Sequence, residues 1–63
     1  MRAHIANIVA LRDSHLISFD EARTALKVCA TRAQYDADYS DSPASYNRWT
    51  AIAQHATRTL AAL

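Results

Sequence analysis

The chain has 63 residues, no Gly, one Pro, one Cys and a formal net charge of +1. Positive-φ turns draw on Gly first and Asn next, and this chain has only Asn7 and Asn47, so turn-rich all-β folds and Gly-rich phosphate loops are excluded. One cysteine excludes an intrachain disulfide and a four-cysteine zinc site, and the near-neutral charge is not the strongly basic footprint of a nucleic-acid-binding domain.

The first segment carries Arg2 and a short apolar stretch broken by Asn7 and Arg12. No secretory signal is expected from it, and no window approaches the roughly 18 apolar residues of a membrane span. The expected location is the cytoplasm. The spacing predicts a first helix over 2–15. On a wheel of about 100° per residue, Ile5, Ile8, Val9, Leu11 and Leu16 share one arc. Arg12 falls in the middle of that arc, with His4 and His15 beside it. A guanidinium placed there either snorkels, pairs with an acid from another helix or subunit, or faces a partner or anion. His4 and His15 lie about 16 Å apart along such a helix, too far to share a metal ion.

Ser18-Phe19-Asp20-Glu21 reads as a capping box opening a second helix, 19–38. Ile17 and Glu21 also fall where a calcium-binding EF-hand loop has its hydrophobic residue and final Glu. That register demands acids at Ala10, Arg12 and Ser14 and Gly at His15, so calcium is excluded. Phe19, Ala22, Leu26, Cys29 and Ala33 repeat at the spacing of a coiled-coil seam. Ala25, Val28, Tyr35 and Tyr39 form a second, offset row that the first helix or a second subunit must cover. Arg23 and Lys27 make a short basic strip, which with Arg48 is the candidate anion-binding set. Cys29 reads as a small core residue.

Tyr35-Asp36-Ala37-Asp38-Tyr39-Ser40-Asp41 is an island of acids and tyrosines. Carboxylates oppose the negative end of a helix dipole, so three of them here point to a role other than stability. The bland alternative is a solvated helix end whose Tyr rings pack on Trp49 and Tyr46. Asp41-Ser42-Pro43 starts a third helix, 43–62, with Asp41 or Ser42 as N-cap. Tyr46, Trp49, Ala53, Ala56, Leu60 and Leu63 form its seam. The short link between the two long helices predicts an antiparallel hairpin.

The expectation is one all-α domain over 1–63: a long helical hairpin with a shorter N-terminal helix. A core this small rarely supplies more than about 3–5 kcal/mol unaided, which favours a homodimer. No catalytic constellation, metal site or cofactor motif is present. The expected function is a non-enzymatic protein-interaction module, an inhibitor or adaptor of the kind common among phage and mobile-element accessory proteins. Its partner surface would be Tyr35, Asp36, Asp38, Tyr39 and Asp41, or Arg12. The alternative is an oligomeric nucleotide- or nucleic-acid-binding protein using its Arg, Lys, Tyr and Trp residues.

Overall fold

A computed structural model describes residues 2–63. They form three helices, α1 (Arg2–Asp13), α2 (Phe19–Asp38) and α3 (Pro43–Ala62), with no strand among the described residues. The molecule measures 39 × 16 × 15 Å. α2 and α3 share the main contact, and α1 packs on both.

Local chemistry fixes both long helices at the start. The Ser18 hydroxyl accepts from the Glu21 N–H at 3.1 Å, and the Glu21 carboxylate accepts from the Ser18 N–H at 3.1 Å. Two donors that the first turn would leave orphaned are thereby satisfied. At α3 the N-cap is Ser42 rather than Asp41: its hydroxyl accepts from the Ser45 N–H at 3.1 Å, with Pro43 in the first turn. At the end of α2, the Ser40 hydroxyl donates to the Ala37 carbonyl at 2.8 Å.

α1 ends two residues earlier than the expected 2–15. The Leu16 N–H donates to the Leu11 carbonyl at 2.9 Å and the His15 N–H to the Arg12 carbonyl at 3.0 Å. This pair of bonds is a Schellman motif, whose penultimate position must be left-handed. His15 fills it with φ 60°. Apolar periodicity cannot register such a stop, and Gly, its usual marker, is absent from the chain. Leu11 and Leu16, placed on the buried arc by the wheel, are instead 39% and 73% exposed on either side of the reversal.

A non-Gly residue in the left-handed region costs about 1–2 kcal/mol, partly offset in Gly by its larger chain entropy. His15→Gly is therefore expected to stabilise the chain by about 1 kcal/mol. Thermal melting should show a rise of roughly 4–8 °C. An unchanged or lower midpoint would contradict a left-handed His15.

The core is one apolar cluster built from all three helices. Ile5 and Ile8 of α1 meet Ala22, Leu26, Cys29 and Ala33 of α2 and Ile52, Ala53 and Ala56 of α3. Ile17, Ala25, Ala30, Trp49, Leu60 and Leu63 pack around it. The two seams thus form the core over most of their length. Phe19 departs from its expected seam role, being 43% exposed, and Tyr46 is 47% exposed. Each stands in the first turn of its helix and outside the buried cluster. Cys29 is buried and carries no disulfide. No helix among the described residues is long and apolar enough to cross a membrane.

Candidate partner-binding surfaces

The acidic-aromatic island occupies the last turn of α2 and the connection after it. Tyr35 and Tyr39 are one turn apart and stack on each other, ring centroids 4.6 Å apart with a 34° tilt. They do not pack inward onto the core: Tyr35 is 56% exposed and Tyr39 75%. Offset aromatic pairs of this kind gain about 0.5–1.5 kcal/mol beyond their buried area, so the rings hold one another in place while their outer faces stay open.

The carboxylates differ in their ties. Asp36 is half-buried and takes a charge-assisted bond from Arg32 Nε at 3.4 Å. Asp38 is exposed and accepts from Gln34 Nε2 at 3.0 Å. Asp41 is exposed in the connection, beyond the helix. One of three negative charges is compensated within α2, and the other two stand at its unfavourable dipole end. To these residues the structure adds the Tyr–Tyr stack, a one-turn pairing available from spacing alone.

Arg12 is half-buried between the ends of α1 and α3. Its Nε is buried without a hydrogen-bond partner among the described residues, as is the Thr50 hydroxyl. The guanidinium carbon lies 5.9 Å from the Phe19 ring centroid, at the outer reach of a cation–π contact. A groove beside it is lined by Val9 and Phe19 and by Thr59, Ala62 and Leu63 from the end of α3. The groove lies at the C-terminal ends of α1 and α3, whose dipoles favour a cation, and Asp13 lines it as well. Arg12 forms no ion pair with an acid of another helix among the described residues. Helix periodicity could not reveal the second helix end, which arrives by tertiary packing.

The anion-binding set is dispersed over two helices. Arg23 and Lys27 are exposed on α2, and Arg48 is exposed on α3. Lys27 lines a shallow groove with Thr24, Val28, Thr31, Arg32 and Tyr35. The described residues contain no group of three or more His, Cys, Asp or Glu able to hold a metal ion. Comparison with known proteins returned nothing: no family model, no curated protein and no solved structure matches this chain.

Proposed function

We propose that the chain is a non-enzymatic protein-interaction module, an inhibitor or adaptor, acting as a homodimer. In this reading α2 and α3 run as an antiparallel hairpin within a single domain, and α1 closes one side of the core. The observation that carries it is the exposed Tyr35–Tyr39 stack beside Asp36, Asp38 and Asp41. Tyr supplies large, rigid contact area at little conformational cost and is enriched at interface centres. The surrounding carboxylates select a partner surface that carries Arg or Lys, and they speed its encounter.

Tyr39→Ala combined with Asp41→Ala tests the island. Both residues are exposed, so circular dichroism and the melting midpoint should stay close to wild type. Affinity capture from lysate with the unaltered chain should yield a protein with a basic contact surface. Its affinity for the double variant should fall by at least about tenfold, as for loss of one hot-spot side chain. Undiminished binding by the double variant would show that the island is not the interface.

A further inference from the structure

The link between α1 and α2 holds no residue that forbids a helix. Ser14, His15, Leu16, Ile17 and Ser18 include neither Gly nor Pro. The link between α2 and α3 differs, because Pro43 disfavours helix at Ser42 before it. Two local devices turn the chain after α1: the left-handed His15, at φ 60°, and the Ser18–Glu21 capping box. The first stores backbone strain and the second is a single cap.

The buried row of α1 continues in phase across this link. Ile5, Ile8 and Arg12 are followed by His15 in the link and by Phe19, Ala22 and Leu26 of α2, at spacings of three, four, three, four, three and four. The same alternation runs on to Ala33. It is one coiled-coil seam that spans the break. A turn between two independent helices gives no reason for their rows to share a phase. The exposed part of the seam lies at the hinge, where Phe19 is 43% exposed, with Leu11 and Leu16 beside it at 39% and 73%.

Straightening 14–18 fuses α1 and α2 into one helix over 2–38. That lifts Ile5 and Ile8, the two buried residues of α1, off their own core. A helix as short as α1 is marginal unless it packs on something. A second opened copy offers the same vacated face. With the two long helices antiparallel about a two-fold axis at the hinge, each copy's α1 fills the other's face. The turn already folds α1 back along α2, so the direction of packing is unchanged and the core contacts are kept. Such an interface is complementary because it is the fold's own, and the symmetry closes it at two chains.

We infer that the homodimer forms by exchange of α1, each copy's Ile5 and Ile8 docking on the core face around Leu26 and Cys29 of the other, with 2–38 as one helix. This rests on the dimeric reading above and adds the surface and the hinge. Phe19 enters the seam at the axis. The Tyr35–Tyr39 stack and its carboxylates lie at the far end of the long helix and stay open to a partner.

Sedimentation equilibrium of the full chain, refolded at each final concentration, tests it. The chain's own α1 competes at an effective concentration in the millimolar range, so the dimer should appear between micromolar and millimolar protein. His15→Gly relieves the closed turn and weakens the fused helix, and should raise the dimer dissociation constant at least about tenfold. Ser18→Ala removes a cap that only the closed chain uses, and should lower it at least about tenfold, since two chains contribute. Spin labels at Ala3→Cys and Gln34→Cys, in a Cys29→Ala chain diluted with unlabelled protein, report the distance within one chain. It should be about 46 Å in the dimer, for 31 residues of continuous helix. In the closed chain it stays below 39 Å, the length of the whole molecule. A monomer at every concentration would overturn both the dimer and the exchange. A dimer that keeps the short distance and ignores His15→Gly and Ser18→Ala would overturn the exchange while leaving the dimer.

Discussion

Leu26→Asp is expected to unfold the chain. Leu26 is fully buried and, with Ile5, is one of the two largest side chains so enclosed. Removing a buried Leu side chain alone costs about 2–5 kcal/mol, and placing an unpaired carboxylate in the same apolar space adds several more. A domain of this size holds only about 3–5 kcal/mol in total. The loss therefore meets or exceeds the whole reserve, and a surviving dimer could return only part of it. Circular dichroism should show little helix and no cooperative melt. Leu26→Met, which keeps volume and apolarity, should cost less than about 1.5 kcal/mol and stay folded. A Leu26→Asp chain with an unchanged melting curve would refute the central position of this residue.

The sequence reading succeeds where a feature is made by neighbours in the chain. Ser18 with Glu21 and Ser42 with Pro43 are self-contained devices, and both helix starts fall where they place them. Leu26, Cys29, Ala53 and Ala56 lie on rows set by helical spacing and are buried accordingly. The reading falters where a partner arrives from elsewhere. Phe19 satisfies the α2 repeat, yet it stays 43% exposed beside Thr59, Ala62 and Leu63 from the end of α3. Arg12 looks like a charge in search of an acid on another helix, and what periodicity cannot place is the end of α3, which lines the groove beside it. His15 is a different failure. The left-handed position is common at helix ends, but its usual signal is a residue type this chain lacks.

The row of alanines along the interface between α2 and α3 carries the second large effect. Ala22, Ala33 and Ala56 are completely buried and Ala37 nearly so. Such a row adds little apolar area per residue, so its contribution lies in allowing the backbones to approach toward the short end of about 8–10 Å. The bulky residues Leu26 and Ile52 stand in the same buried cluster as Ala22, Ala33 and Ala56. Ala33→Leu enlarges a side chain at a position with no free space. Leu is nearly as good a helix former as Ala, so any change reports packing and not propensity. The expected cost is about 1–3 kcal/mol, a large share of the reserve, as the two helices are forced apart. Ala6→Leu, at an exposed site on α1, should stay within about 0.5 kcal/mol of wild type. Chemical denaturation of the two variants checks the contrast. Equal stability would mean that the alanine row tolerates a wider gap, and the close approach would then not be what brings Leu26 and Ile52 into one core.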